Sequence, residues 1–381
     1  MKKIIVITHG YPSVANTNDC PFVKELVETW RCMDICVEVI KPVKLIEFIK
    51  LLIVGKNKDG IVKYPLYFDF SFMRLFRRFP AIRRMHIRIA DASFQRAVER
   101  TIKIDSNDIM YSHFLDSGFC VAALSEKYKV PSYCAVGEST LWTLEFKDMG
   151  EVRRRLKHLS GFIAVSEKNK RMLIDNELAH EDKIQVFPNG VDIHKIHRLD
   201  KRECRRELSI DENALVGAFV GHFIERKGPL RVMEATKEID GLQMIYIGSG
   251  EQEPSGNNIT FKGQVPHDMI PKYLSAADFF VLPTLAEGCC NAIIEAMACG
   301  LPIISSDLEF NDDILNEQCA IRINPEDIRQ IHEAIIRLTK DKPLRIKMSE
   351  AALEKARMLS LQVRAERILG FIKYYGEENQ E

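Results

Sequence analysis

Residues 283–302 read Pro283-Thr-Leu-Ala-Glu287-Gly288-Cys-Cys-Asn291-Ala-Ile-Ile-Glu295-Ala-Met-Ala-Cys-Gly300-Leu-Pro302, directly after the apolar run 279–282. The apolar run predicts a buried strand, and the apolar pattern that follows the loop predicts a helix over 290–299. Gly300 and Pro302 occupy the positions where helices usually end. A helix that begins at the carboxyl end of a parallel strand presents unpaired N–H groups and the positive end of its dipole. This segment therefore predicts an anion-binding site.

The same alternation of short apolar runs and longer helical patterns extends in both directions from this segment. The predicted strands of the first half are 4–7, 36–40, 109–111, 132–136, 162–165 and 184–187. The pattern restarts after residue 190, and the further predicted strands are 215–220, 244–247, 259–261, 279–282 and 302–305. Strands that alternate with helices predict an α/β fold with parallel sheets covered on both faces.

The length of 381 residues exceeds what one hydrophobic core usually fills, which predicts two domains. We expect two Rossmann-like, doubly wound domains at 1–187 and 201–360, a linker at 188–200, and a C-terminal helix in 361–381. Ligands of such sheets bind at the carboxyl ends of the strands, so we expect a cleft there between the domains. The composition, 46% apolar and 28% charged, excludes a disordered, collagen-like or coiled-coil protein.

The cysteines and the apolar runs indicate in which cellular compartment the protein works and whether it binds a metal ion. The ten cysteines form no Cys-x-x-Cys pair and no cluster with zinc spacing, so we expect reduced thiols and no metal site. No uncharged apolar run approaches the roughly 18–20 residues of a membrane helix. The apolar opening is too short for a signal peptide. We therefore expect a cytoplasmic protein.

The net charge is zero, but the two halves differ. Residues 1–185 carry 30 Lys and Arg against 23 Asp and Glu, an excess of 7 positive charges. Residues 186–381 carry an equal excess of negative charges. The segment 71–90 holds six arginines and no acid, with apolar residues between them, and Pro80 limits it to two short helices at most. It predicts contact with an anionic membrane surface, and the alternative is an arginine-rich helix with one solvated face. No recognition module for nucleic acid is present.

The two glutamates of the opening segment are eight positions apart, which is about 12 Å along a helix. Carboxylates accept hydrogen bonds from sugar hydroxyls. A ligand with its diphosphate at the helix N-terminus would bring one hydroxyl-bearing ring to Glu287 and another to Glu295, and a nucleotide sugar has this shape. The alternative is that both glutamates are merely solvated.

This segment resembles the E-x7-E signature of retaining family-4 glycosyltransferases, which have the two-domain GT-B fold and transfer a sugar from a nucleotide sugar. The resemblance implies that Glu287 contacts the donor sugar and Glu295 the ribose, with Gly288 and Asn291 also at the donor. It further implies that the N-terminal domain binds the acceptor, that the C-terminal domain binds the nucleotide sugar, and that the last helix crosses back to the first domain.

Residues 221–228, Gly-His-Phe-Ile-Glu-Arg-Lys-Gly, follow a predicted strand and resemble the family's Gly-Arg-Leu-x-x-x-Lys-Gly loop. The resemblance implies that Lys227 binds the diphosphate, where a lysine neutralises the leaving group. His222 replaces the family's arginine, and Arg226 is the nearest alternative cation. Residues 188–192, Pro-Asn-Gly-Val-Asp, resemble the family's interdomain segment, and the Asn-Gly pair also predicts a turn with positive φ.

Three positions of the N-terminal half resemble family sites. His113 follows a predicted strand and resembles the family's histidine at the donor sugar and diphosphate, although a lone histidine is usually structural. The turn that contains Gly10 and Tyr11 resembles a glycine-rich turn that admits donor and acceptor. Glu138 lies in a segment that resembles a family site reading His-Gly-Ser-Asp, where Val136 replaces the histidine. Glu138 and Tyr11 are candidate contacts on the acceptor side.

Together these features predict a retaining, metal-independent glycosyltransferase without a cofactor. The acceptor is expected to be a saccharide, in particular a lipid-linked one, in cell-surface polysaccharide or lipopolysaccharide assembly, with the enzyme peripheral to the inner face of the membrane. Gly248-Ser-Gly250 lacks the third glycine of a dinucleotide fingerprint, and no Asp-x-Asp occurs. Two alternatives stay open: a nucleotide-sugar-binding subunit without catalysis, and a nucleotide-sugar epimerase of the same fold.

Overall fold

The computed structural model describes residues 3–14, 16, 19–55, 60–69 and 79–378. The chain divides into two compact units. The first comprises Met1–Phe187 with Ala365–Glu381, and the second comprises Pro188–Arg364. Residues 188–200, which the sequence predicts as a linker, therefore lie within the second unit.

The first unit is built on a parallel sheet of seven strands among the described residues. The strands are β1 (Ile4–Ile7), β2 (Val37–Ile40), β3 (Val62–Lys63), β4 (Ile109–His113), β5 (Ser132–Val136), β6 (Gly161–Ala164) and β7 (Ile184–Val186). Their order in the sheet is β3-β2-β1-β4-β5-β6-β7, and every pair is parallel. The helices are Pro21–Cys32, Leu45–Val54, Pro80–Thr101, Phe114–Tyr128, Met149–Leu156 and Glu167–Asp175, with Leu361–Glu378 from its fifth residue onward.

The second unit contains a six-stranded parallel sheet. The strands are β8 (Leu215–Val220), β9 (Leu242–Ile247), β10 (Ile259–Gly263), β11 (Phe279–Leu282), β12 (Ile303–Ser306) and β13 (Ala320–Ile323). Their order is β10-β9-β8-β11-β12-β13. The helices are Lys201–Glu207, Pro229–Thr236, Ile270–Ala276, Asn291–Ala298, Ile328–Lys340 and Lys342–Met358.

The predicted α/β class with parallel sheets is confirmed in both units. Helix Asn291–Ala298 begins within one residue of its predicted start, and Gly300 ends it in the left-handed conformation with φ of 76°. Two edge strands, β3 and β13, were not predicted. The first has only two residues, and the second carries the partly exposed Arg322, so neither forms an apolar run.

The structure describes the arginine-rich segment from residue 79 onward, and the helix that follows this point is longer than the short helix predicted there. Pro80 is the first residue of one continuous helix, Pro80–Thr101, of 22 residues. Proline is favoured at this position because its missing N–H would have no partner in the first turn. Residues 71–78 of the arginine-rich segment lie outside the described residues.

The last helix spans Leu361–Glu378, within the range 361–381 that the sequence predicts. Within the first unit, Trp30 Nε1 donates a hydrogen bond to the carbonyl oxygen of Ala365 at 3.3 Å, and the Tyr133 hydroxyl donates to that of Ile372 at 3.1 Å. These bonds connect the helix to the body of that unit. None of the helices in the described part of the chain has the length and apolar character needed to cross a membrane.

Candidate active site

A single carboxylate oxygen in the second unit collects three donors. Oε1 of Glu287 lies 2.5 Å from Lys227 Nζ, 2.9 Å from an Arg226 guanidinium nitrogen and 2.8 Å from the Thr284 hydroxyl. Lys227 and Glu287 are largely buried. The structure thus brings together three of the residues that the sequence predicts at the donor site.

Sheet topology explains why these residues meet although about sixty positions separate them. Strands β8 and β11 are parallel neighbours, so the loops at their carboxyl ends leave the sheet side by side. Leu285 N–H donates to the carbonyl oxygen of Arg226 at 2.8 Å and joins the two loops directly. Thr284 was not predicted, although a polar residue just after a buried strand is a usable signal.

The loop after β9 supports the loop after β8 through backbone contact. A Cβ atom on Gly248 would lie 1.9 Å from the carbonyl oxygen of Gly221, and one on Gly250 would lie 2.3 Å from that of Phe223. Both glycines also have φ near 150°. The glycine pair that resembles part of a dinucleotide fingerprint is therefore required by close packing of two loops.

The charge of the cluster favours an anion. Lys227 and Arg226 bring two positive charges to the one carboxylate of Glu287, which leaves an excess of one. Helix Asn291–Ala298 begins four residues after Glu287, and Cys290 before it makes no side-chain cap hydrogen bond. Ile293 N–H donates to the Cys290 carbonyl oxygen at 3.2 Å, so the N–H groups ahead of it, at the very start of the helix, are the ones that can face an anion, and Gly288 before them is buried.

Glu295 is paired with a histidine that the sequence did not single out. Oε1 of Glu295 lies 2.9 Å from Nε2 of the exposed His267, which follows β10. The motif gave no sign of this partner because His267 follows β10, whereas Glu295 lies on the helix that follows β11. The predicted contact of Glu295 with a ribose stays a prediction.

The segment 188–192 has an architectural role in this unit. Neither Asn189 nor Gly190 adopts positive φ, so the turn prediction is wrong on this point. Gly190 is required instead because a Cβ atom there would lie 2.7 Å from the Cα atom of Leu361. Asn189 donates to the side-chain oxygen of Asn291 at 2.9 Å, which fixes the start of the helix at the candidate site.

In the first unit, His113 is the last residue of β4 and is buried among aromatic rings. Its ring centroid lies 5.4 Å from that of Tyr111, 5.7 Å from that of Phe22 and 6.1 Å from that of Phe114. Phe114 has φ of 67°, a conformation that is unusual for a bulky residue and that turns the strand sharply into the next helix. The predicted contact of His113 with a donor stays a prediction.

Glu138 holds this strand-to-helix corner. One carboxylate oxygen accepts Leu115 N–H at 2.6 Å and the other accepts Gly137 N–H at 3.0 Å. Burial raises the pKa of Glu138 to about 7, although the backbone N–H groups lower it. Both oxygens accept backbone N–H groups and the side chain is buried, so Glu138 positions this corner, and its predicted contact on the acceptor side stays a prediction.

Gly10 and Tyr11 are also buried. A Cβ atom on Gly10 would lie 2.4 Å from Sγ of Cys20, so packing within the unit requires the glycine. The Tyr11 side chain is fully buried, and Lys41 Nζ donates to its carbonyl oxygen at 2.9 Å. The Tyr11 hydroxyl is thus covered within the unit, and the predicted contacts of Gly10 and Tyr11 with donor and acceptor stay predictions.

A cavity of about 740 Å³ in the first unit has polar and aromatic walls. Its lining residues include His9, Tyr67, Asp69, His86, Asp91, Asp116, Trp142 and Lys147. The buried Lys147 ammonium lies 2.6 Å from Asp91 and 3.0 Å from Asp116. Burial lowers the pKa of Lys147, but these carboxylates outweigh it and raise the value. The sequence missed this network because its members share no motif.

His9 closes one side of the same cavity. Its ring stacks on Phe94 with 4.0 Å between centroids, and Nδ1 lies 2.8 Å from the Ser117 hydroxyl. Burial lowers the pKa of His9, and the nearby Asp116 opposes this effect. Across both units, the described residues contain no group of three or more His, Cys, Asp or Glu side chains that could hold a metal ion.

Comparison with known proteins gives matches over both units. The family model described as glycosyl transferases group 1 matches residues 200–355. TuaC of Bacillus subtilis (strain 168), a glycosyltransferase named for teichuronic acid biosynthesis, is 26% identical over 88% of each chain. The UDP-Gal:alpha-D-GlcNAc-diphosphoundecaprenol alpha-1,3-galactosyltransferase of Escherichia coli is 29% identical over 68% of this chain and 73% of its own.

Among solved structures, HepE of Anabaena in complex with UDP superposes with a TM-score of 0.73 at 15% identity, over 98% of this chain and 100% of its own. Two parallel-sheet α/β units of this kind define the GT-B class of fold. The chain is a glycosyltransferase, and its residues 200–355 match the family model of glycosyl transferases group 1.

Proposed function

We propose that the second unit binds a nucleotide sugar at Glu287 and at helix Asn291–Ala298, as in family-4 enzymes. The observation that carries this proposal is the meeting of Lys227 and Arg226 on one oxygen of Glu287. A diphosphate that binds Lys227 competes with this ion pair. The Glu287 carboxylate then becomes available to accept hydrogen bonds from the hydroxyls of the donor sugar.

The ribose of the donor is assigned to Glu295. Its carboxylate lies on the same helix whose N-terminus would receive the diphosphate, about a turn and a half from the first N–H groups. The neighbouring His267 is exposed and lies within hydrogen-bond distance of Glu295, so it orients this carboxylate. A ribose hydroxyl would complete the hydrogen bonds of the pair.

The proposed reaction is transfer with retention of the anomeric configuration. The bond between the anomeric carbon and the diphosphate oxygen breaks, and the acceptor oxygen bonds to the same face of the sugar. The departing phosphate takes the proton of the acceptor hydroxyl, so no protein nucleophile is needed. Lys227, Arg226 and the helix N–H groups stabilise the charge that develops on the phosphate, without a metal ion. His113 is kept as a proposed contact of the donor sugar.

The acceptor is proposed to be a lipid-linked saccharide in cell-surface polysaccharide assembly. Two relatives support this choice, since one is named for teichuronic acid biosynthesis and the other for a diphosphoundecaprenol acceptor. The cavity of the first unit suits a sugar because carboxylates such as Asp116 accept hydroxyl donors and the exposed Trp142 ring offers an apolar platform.

A thermal-shift screen against UDP-, GDP-, ADP- and CMP-sugars, with and without EDTA, tests the donor site. A ligand at 100 times its Kd stabilises the folded state by about 2.7 kcal/mol. A selective shift that survives EDTA supports the proposal, and its loss in EDTA would contradict metal independence.

The product of a transfer assay, with its anomeric configuration read by NMR, then tests the chemistry. Inversion contradicts the proposed route. Binding of a donor without hydrolysis or transfer favours a binding subunit, and a modified donor formed without acceptor favours an epimerase.

A further inference from the structure

Helix Leu45–Val54 of the first unit turns apolar side chains to solvent. It reads LIEFIKLLIV, and Leu51 is its buried residue. Six side chains form what we call the apolar face, and each is 45–78% exposed: Leu45, Ile46, Ile49, Leu52, Ile53 and Val54. Soluble proteins rarely expose a contiguous apolar patch of this kind unless it binds something.

The apolar face is continuous. At 3.6 residues per turn, its six residues and Lys50 cover an arc of about 200°. The opposite arc holds Glu47, whose carboxylate lies 2.7 Å from Nζ of the buried Lys41. The one acid of the helix is therefore paired on the inner side, and Lys50 is the charge that accompanies the apolar face.

A second exposed apolar patch in the same unit also carries positive charge. Phe68, Met85 and Ile89 are about half exposed and line a cavity of about 820 Å³. Arg88, Arg96 and Arg100 line the same cavity, and none of the described residues that line it is acidic. Apolar side chains combined with cations match an anionic lipid surface, where acyl chains lie beneath phosphate groups.

The helix also borders the polar cavity of this unit. Lys44 and Glu47 line that cavity together with Asp69 and Asp116. The cavity proposed to bind a sugar thus lies beside an apolar helix in the same unit. This arrangement fits a substrate with a polar head and a hydrocarbon tail.

We propose that helix Leu45–Val54 seats the first unit in the interface of an anionic lipid bilayer. The apolar face would enter the boundary between head groups and acyl chains, and Lys50 would lie at the phosphates. The helix is about 15 Å long, half of what is needed to span the hydrocarbon core, so it lies in the membrane plane. The inference rests on the proposed function only in placing a lipid-linked acceptor beside the cavity.

A second copy of this chain would also cover the apolar face. A symmetric contact through this face would bring two Lys50 side chains together and would supply no acid to either of them. The charge pattern therefore favours an anionic bilayer, and self-association becomes an outcome of the test.

Vesicle flotation tests this assignment with the full chain. Wild-type protein is mixed with vesicles of phosphatidylglycerol and phosphatidylcholine, or of phosphatidylcholine alone. The double variant Ile46→Glu/Ile53→Glu should lose about tenfold or more of its partition onto the anionic vesicles, because two inserted apolar side chains become charged. Ile346→Glu is the matched control, since Ile346 lies on a helix of the second unit and is 53% exposed.

Thermal unfolding and size-exclusion chromatography with light scattering accompany the flotation. The proposal is overturned if folded wild-type protein does not float, or if the double variant floats equally well. A wild-type dimer that the double variant converts to monomers, without vesicle binding, assigns the face to a second copy instead. Transfer to an acceptor with a short soluble tail should persist in the double variant. If neither the wild type nor any variant transfers a sugar to this acceptor, the proposed function is contradicted while the flotation result still stands.

Discussion

Replacing Glu138 with glutamine removes a buried charge at the corner that follows β4. The side chain is 3% exposed, and its two oxygens accept the N–H groups of Leu115 and Gly137. Burial raises the pKa of this carboxyl from the ordinary 4.5 to about 7. Between these two values the folded chain holds a proton that the unfolded chain has released. The free energy of unfolding therefore falls as the pH rises through this window.

The size of the effect follows from the pKa difference. One pKa unit corresponds to about 1.36 kcal/mol, so a difference of about 2.5 units gives about 3 kcal/mol. This stability is present at and below pH 4.5 and is lost above pH 7. From pH 5 to pH 8 we expect the Glu138 contribution to the free energy of unfolding to fall by about 2–3 kcal/mol. The Glu138→Gln variant should lack this part of the pH dependence.

Urea unfolding followed by tryptophan fluorescence measures this difference. The chain has two tryptophans, Trp30 and Trp142, and both lie in the first unit with Glu138. Other titrating groups contribute equally to wild type and variant and cancel in the comparison between pH 5 and pH 8. Glu145→Gln, at an exposed glutamate of the same unit, is the control and should behave as wild type. Identical pH dependence in wild type and Glu138→Gln would refute the reasoning.

Three further substitutions test the second unit. Lys227→Ala should lower turnover by about 10²–10³-fold because the leaving phosphate loses a cation; near-normal turnover, with exposed Lys262→Ala as control, rejects its role. Glu295→Gln should weaken donor binding by about tenfold or more, and unchanged affinity in calorimetry would exclude the ribose contact. Gly248→Ala should destabilise the fold by about 3 kcal/mol or more, whereas Gly241→Ala, which meets no neighbour, should cost about 1 kcal/mol in thermal unfolding.

The sequence predicted most strands of both sheets and the helix at the candidate site. These elements depend on local patterns: apolar runs for strands that are buried on both faces, and a glycine that ends a helix. The sequence did not predict the edge strands β3 and β13, because an edge strand needs neither length nor continuous apolar character. Pro80 was expected to interrupt the arginine-rich segment, and in the structure it begins a helix of 22 residues because proline suits the first turn of a helix.

The candidate site was predicted in composition but not in geometry. The motifs identified Lys227, Glu287 and Glu295, but the pairing of Lys227 with Glu287 depends on β8 lying next to β11 in the sheet. Thr284 and His267 were missed because the partner of a side chain is set by which loops leave the sheet side by side.

Local sequence thus determined the class of fold and which residues make up the candidate site, because both depend on the short-range spacing of apolar, glycine and charged residues. Tertiary structure alone decided which groups are buried and which face solvent. It buried Glu138 and raised its pKa, joined Lys147 to Asp91 and Asp116, and left the apolar face of helix Leu45–Val54 exposed. Burial and ion pairing depend on neighbours that are distant along the chain, and no local pattern specifies them.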